Sequence, residues 1–275
     1  MRTISQSLRE YGRGVAGGLL FSLPLLYTME VWWAGFTSHP FRLAAYVAAT
    51  FALLLGYNYF VGLRHDTCFS EVVIDSVEEL GLGLLVALVI LWLLGRVTGA
   101  TPLEEASGKV VIEAMTVAVG VSVGTAQLGA GEDEKDKGVG GEGASVGFGG
   151  QLVIALCGAV LFAANVAPTE EIVMIAVEIS AWRVLGLAAL SLSLGALVLY
   201  YSEFAGSQKH VRFDRHHDVL VGTVITYAVA LAASAAILLF FGRFDGQALA
   251  TCVAQTVVLG VAATLGASAG RLLLQ

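Results

Sequence analysis

Charge is what this sequence has least of. Of its 275 residues only 13% are Asp, Glu, Lys or Arg, against roughly 25% in a soluble globular domain. So few charges cannot cover a water-exposed surface. Cysteine is nearly missing as well. Cys68, Cys157 and Cys252 stand far apart, with no Cys-x-x-Cys and no metal-ligand spacing. That excludes a disulfide framework and a zinc module, and leaves three thiols to pack among helices. There is no basic excess either; the net charge is −7, which excludes an electrostatic footprint for nucleic acid. The short alternating segments of a closed β-barrel are not visible. An Ala-x-Ala cleavage site is lacking too. The apolar run from Gly14 to Phe36, preceded by Arg2, Arg9 and Arg13, ends at Glu30, Trp32 and Trp33. It is too long for a signal h-region and is expected to be the first retained span.

What is present is apolar sequence in long blocks. The hydrophobic fraction is 57% and the mean hydropathy +0.80. A bilayer core about 30 Å thick asks for roughly 20 apolar residues per helix, and helices satisfy every backbone polar group in lipid. The expected fold is therefore all-α, a polytopic transmembrane bundle of about eight spans. They fall near 14–36, 41–63, 76–97, 102–127, 150–176, 182–204, 218–241 and 246–270. Ser76-Val77-Glu78-Glu79 fits a capping box at the third start, and Thr101-Pro102 a proline-led fourth start.

Between Gly129 and Gly150 the sequence turns acidic and then glycine-rich. Such composition buries no apolar surface and reads as a mobile linker. Its acids Glu132, Asp133, Glu134 and Asp136 lack the spacing of an EF-hand loop. The expected division is a first four-helix half at 1–129, a linker at 130–149 and a second four-helix half at 150–275.

The halves resemble one another. Leu20-Phe21, Thr28, Glu30 and Arg42 recur at an offset of 141 as Leu161-Phe162, Thr169, Glu171 and Arg183. Gly95-Arg96 and Gly242-Arg243 close the third spans, and in the fourth spans Glu113 matches Gln255 and Gly124 matches Gly266. An even number of spans per half makes these parallel repeats. With the N-terminus inside, ten Lys and Arg fall on inner segments and four on outer ends. This places both termini in the cytoplasm of a multi-pass plasma-membrane protein.

The few acids inside apolar runs carry the chemistry, because a carboxylate in hydrocarbon costs at least roughly 2.5–3.5 kcal/mol. Asn165-Val166-Ala167-Pro168-Thr169-Glu170-Glu171 is the sharpest element. Pro168 is expected to break the helix and free the carbonyls near Ala164 and Asn165. Carbonyls, a threonine hydroxyl and carboxylates are hard oxygen ligands, suited to Ca²⁺, Mg²⁺, Mn²⁺, Na⁺ or protons. The first-half counterpart is Tyr27-Thr28-Met29-Glu30. A plainer reading makes Glu170 and Glu171 an acidic first turn. Glu113, deep in its span, is read as a coupling acid, or as the partner of Lys109 one turn earlier. Asp75, Glu78 and Glu79 share one helix face, as caps or as part of a cation path. The loop from Lys209 to Asp218, with His210, His216 and His217, reads as a positive-inside anchor, with pH sensing as the alternative.

The elements Tyr27-Thr28-Met29-Glu30-x-Trp32-Trp33 and Asn165-x-Ala167-Pro168-Thr169-Glu170-Glu171 resemble an uncharacterised family of prokaryotic integral membrane proteins, along nearly the whole chain. That resemblance implies no activity. Membrane-embedded CAAX-type glutamate proteases share the Glu-Glu pair, but Ile175 stands where their arginine is required. Their Phe-x-x-x-His motif is missing, and His210-x-x-x-Asp214 falls in a loop.

The expectation is thus a non-enzymatic cation transporter or channel without a resident cofactor beyond a bound divalent cation. Glu30, Glu170 and Glu171 would ligate that cation, with Thr28, Thr169 and Asn165 around them, Glu113 coupled, and Asp75, Glu78 and Glu79 secondary. Its partners are the lipid bilayer and the cation, with self-association open and nucleic acid excluded. The alternatives are a non-catalytic scaffold or sensor, and a hydrolase using Glu170 and Glu171.

Overall fold

The computed structural model describes residues 4–61, 69–136, 148–206 and 215–273, with side chains over 9–61, 69–128, 148–200 and 220–271. Every regular element among the described residues is helical. The helices are α1 (Ile4–Leu26), α2 (Met29–Thr37), α3 (Pro40–Val61), α4 (Phe69–Leu93), α5 (Leu103–Asp136), α6 (Phe148–Ala164), α7 (Glu170–Glu178), α8 (Ala181–Gly206), α9 (Arg215–Phe240) and α10 (Leu249–Leu273).

Six of these helices are long and apolar enough to cross a membrane, or seven if the bent pair α1–α2 counts as one span. Eight were expected. The difference lies in the first and fifth spans, which are broken. The α1–α2 pair bends by 86°. The stretch expected to cross at 150–176 divides into α6, 17 residues, and α7, nine. At 1.5 Å per residue α6 reaches only about 25 Å, short of a bilayer core.

Each break has a local cause. At Thr28 the backbone turns extended, and the residue becomes the start of α2. Its N–H donates to the Leu25 carbonyl at 2.8 Å and its hydroxyl to the Pro24 carbonyl at 2.8 Å, closing the end of α1. At the second break Pro168 cannot donate, and Thr169 starts α7 in extended geometry. The Thr169 hydroxyl turns back to the Val166 carbonyl at 2.8 Å.

Two further expectations shift. Ser76 is no helix cap, since α4 begins at Phe69 and buries Ser76 within it. Its hydroxyl donates to the Val72 carbonyl, one turn back, at 2.7 Å. The linker also starts later than 130, because α5 continues to Asp136; glutamate and lysine are good helix formers once the apolar window ends. Residues 137–147 lie outside the described residues, as do the side chains of Glu132, Asp133, Glu134 and Asp136, and those of the Lys209–Asp218 loop.

The chain divides into two compact units, Met1–Val153 and Ile154–Gln275. In the first, α5 is the central helix, packed by α1, α2, α3 and α4. Its apolar window is 72% buried, against 17% for that of α8. Close approach is made by glycine: a Cβ on Gly17 would fall inside the backbone of Gly124, and one on Gly108 inside that of Gly35. Without hydrophobic drive between helices in lipid, such backbone contact is what holds them.

In the second unit α10 packs against α7, α8 and α9. Its core is built on alanine, with Ala159, Ala163, Ala230, Ala233, Ala263 and Ala267 around Leu238 and Leu259. Gly158 of α6 and Gly266 of α10 meet backbone to backbone. The long helices α4 and α9, one in each unit, end in the same way. Gly95 and Gly242 take φ of 67° and 70°, which only glycine adopts without strain. The N–H of Arg96 then donates to the Leu91 carbonyl, and that of Arg243 to the Leu238 carbonyl, both at a Schellman spacing.

Candidate functional site

Glu113 sits midway along the apolar part of α5 and is fully buried. Among the described residues neither of its carboxyl oxygens has a hydrogen bond of normal geometry, and the nearest donor is the Trp32 indole. The alternative reading, an ion pair with Lys109, is not what the structure shows. Lys109 instead pairs with Glu105 and donates to the Arg96 carbonyl at 3.3 Å, its ammonium 5.5 Å from the Phe36 ring centroid. A lysine stem lies along apolar surface while its charge reaches for the polar end of the helix, which takes it away from Glu113.

The break between α1 and α2 supplies the wall of this site. Trp32, in the first turns of α2, lies against the Glu113 carboxyl. Its indole N–H is committed elsewhere, donating to the Leu26 carbonyl at 3.1 Å. The Arg96 guanidinium stacks over the same indole, 4.3 Å from the ring centroid. Nearby on α5, the Thr116 hydroxyl and the Tyr46 hydroxyl of α3 are 3.1 Å apart. The next residues of α5, Ala114 and Met115, pack with Ala87 of α4 in a buried apolar cluster. An orphaned carboxyl in such a place has two stable conditions: protonated, or ionised beside a cation.

The other expected residues fare differently. Glu30 lies half-buried in the first turn of α2. Glu170 and Glu171 are exposed in the first turn of α7, where the helix dipole favours acids. The polar groups nearby donate to backbone carbonyls one turn back. The Asn165 amide donates to the Leu161 carbonyl at 2.5 Å, and the Thr28 and Thr169 hydroxyls are held by backbone carbonyls. The Pro168 carbonyl accepts from Arg243, whose guanidinium also lies 4.0 Å from Glu170. Among the described residues no group of three or more His, Cys, Asp or Glu side chains comes together to hold a metal.

Gln255 stands 142 residues after Glu113, in α10 of the second unit. It is fully buried, donates its amide to the Arg243 carbonyl at 3.3 Å, and among the described residues has no partner for its oxygen. Of the secondary acids, Glu78 is exposed and accepts from the Tyr11 hydroxyl at 3.4 Å, and Asp75 is half-buried. Glu79 turns inward and accepts from the Asn58 amide at 2.8 Å. Asn58, Trp32 and Ser122 were missed in the sequence. The lone asparagine in Tyr57-Asn58-Tyr59 was the legible signal; Trp32 was seen as the end of an apolar run and as part of the Tyr27–Trp33 element, and Ser122 carries no signal in a helix rich in small residues. An open groove of 530 Å³, lined among others by Phe36, His39, Glu104 and Ser107, lies at the corner of α2 and α3 over α5.

No curated protein and no solved structure matches the chain. The family described as "Putative integral membrane protein (DUF2391)" matches residues 10–274. Its match spans nearly all the helices described above, so this chain belongs to that family of integral membrane proteins.

Proposed function

We propose that the protein is a cation transporter or channel of the plasma membrane, with both termini cytoplasmic, in which Glu113 is the acid that binds and releases a proton or metal cation. One observation carries this reading: a fully buried carboxyl in the central helix of the first unit, with no hydrogen-bond partner for either oxygen among the described residues. A group that costs this much in hydrocarbon is kept for function. The broken span beside it adds support, since discontinuous helices line ion and substrate sites in transporters. Glu30, Glu170 and Glu171 serve in this reading as acids nearer the ends of the path, and not as a shared metal centre. The reading is of a non-enzymatic protein.

The chain acts as two parallel repeats in this proposal. Matching glycine crossings, Gly17 with Gly124 and Gly158 with Gly266, and the two Gly-Arg helix ends support it. Gln255 at the Glu113 position leaves the second repeat without that acid. Purified protein in proteoliposomes, assayed for proton, Na⁺, Ca²⁺ and Mn²⁺ flux, tests the reading. One of these ions should move in a manner that Glu113→Gln abolishes; no flux of any of them removes the proposal. A scaffold or sensor is the second reading, favoured by the commitment of Arg243 to Pro168 and its approach to Glu170, which looks like structural bracing.

A further inference from the structure

We propose that Asn58, Ser76, Glu79 and Ser122 form a binding site for a monovalent metal cation of the size of Na⁺. The four residues come from α3, α4 and α5. The Asn58 amide nitrogen donates to the Glu79 carboxylate at 2.8 Å and approaches the Ser76 hydroxyl at 3.0 Å. The Ser122 hydroxyl donates to the Asn58 carbonyl oxygen at 3.4 Å and lies within reach of Glu79. Ser76 and Ser122 are buried. The Ser76 proton points away, to the Val72 carbonyl at 2.7 Å. Its lone pairs are thereby turned to the cluster.

In this arrangement the amide NH₂ supplies the positive end that Glu79 needs. Rotating the same amide by a half-turn replaces that nitrogen with the Asn58 carbonyl oxygen. The carboxylate, the amide oxygen and two hydroxyls then make an all-oxygen set carrying one negative charge. Hard oxygens select a hard cation, and one carboxylate balances one positive charge where divalent sites use more. Asp75 and Glu78 lie close enough to add negative potential.

The second unit offers an internal comparison. The spacings that carry Gly95 to Gly242 and Gly124 to Gly266 carry Ser76, Glu79 and Ser122 to Thr223, Thr226 and Thr264, all buried. There the acid is gone and a cation is built in. Arg271 donates to the Thr226 hydroxyl at 2.8 Å and to the Gly222 carbonyl at 3.4 Å. The residue matching Arg271 in the first half is Gly129. The first unit thus has the acid without this guanidinium, and a cation from outside takes its place. The site rests on the transport reading for its purpose, but its geometry does not involve Glu113.

The test uses the full chain in detergent and a hydrophobic carbodiimide, with labelling of Glu79 and Glu113 followed separately by peptide mass analysis. NaCl should slow Glu79 labelling at least tenfold relative to choline chloride and leave Glu113 labelling unchanged. Ser122→Ala and Asn58→Ala should raise the protecting Na⁺ concentration at least tenfold. In parallel, Na⁺ should raise the melting temperature of the wild type and not of Glu79→Gln, which covers the case of a poorly labelled Glu79. Equal behaviour in Na⁺, K⁺, Li⁺ and choline by both readouts overturns the site. Flux lost in Glu113→Gln without Na⁺ protection keeps the transport reading and removes this site; protection without any flux does the reverse.

Discussion

Lys109 makes its ion pair with Glu105, one turn before it on α5, and leaves Glu113, one turn after it, without that cation. Both acids were within reach of the lysine by spacing alone. The partition decides what Glu113 is. A paired acid would be a packing feature; an orphaned one destabilises the helix bundle that holds it.

Glu113→Leu should therefore stabilise the protein while abolishing its activity. The leucine fills similar volume and removes a polar group whose burial costs about 1–3 kcal/mol in protein mutational data. The melting temperature in detergent should rise by several degrees. A large fall would mean that the carboxyl has a structural partner.

The glycine crossings make a sharper steric prediction. Gly17→Leu and Gly158→Leu drive a side chain into the backbone of α5 and of α10, and cannot be absorbed by rotamer change. Each should cost at least 3 kcal/mol, the scale of severe overpacking. Gly12→Ala and Gly81→Ala meet open space and should be neutral or slightly stabilising. Size-exclusion profiles and melting temperatures in one detergent separate the two classes.

How much of this was legible depends on what each residue has to meet. The membrane, the helices and the break at Pro168 follow from composition and from a missing amide proton. The 86° turn at Thr28 has no such marker, because Pro24 lies inside α1 and the chain turns four residues after it. Glu113 stood out as an acid that no cap explains. Whether Lys109 would reach it, and whether Ser122 would meet Asn58, depends on neighbouring helices, which the spacing of one helix does not encode. The Glu170-Glu171 pair looked most reactive in the sequence and came out exposed on a first turn.

Gly95→Ala and Gly242→Ala test the two helix ends. Each puts a Cβ on a residue with positive φ, at a cost of about 1–2 kcal/mol. Both should lower the melting temperature by similar amounts, since the hydrogen-bond pattern is the same in both places.

Arg243→Gln should loosen the second break. Its guanidinium holds the Pro168 carbonyl, and a hydrogen bond from a charged group contributes about 1.5–3 kcal/mol. Arg243→Lys keeps the charge without the forked donor and should recover only part of the stability. Limited proteolysis near Pro168, compared across the three proteins, reads this out.

The most direct measurement compares cation flux in Glu113→Gln and Glu171→Gln proteoliposomes at matched protein density. Glu113→Gln should fall to background, a loss of at least tenfold, while Glu171→Gln keeps at least half of the wild-type rate. Full flux in Glu113→Gln, with loss in Glu171→Gln, would contradict the assignment of the buried acid on α5 as the ion-handling group.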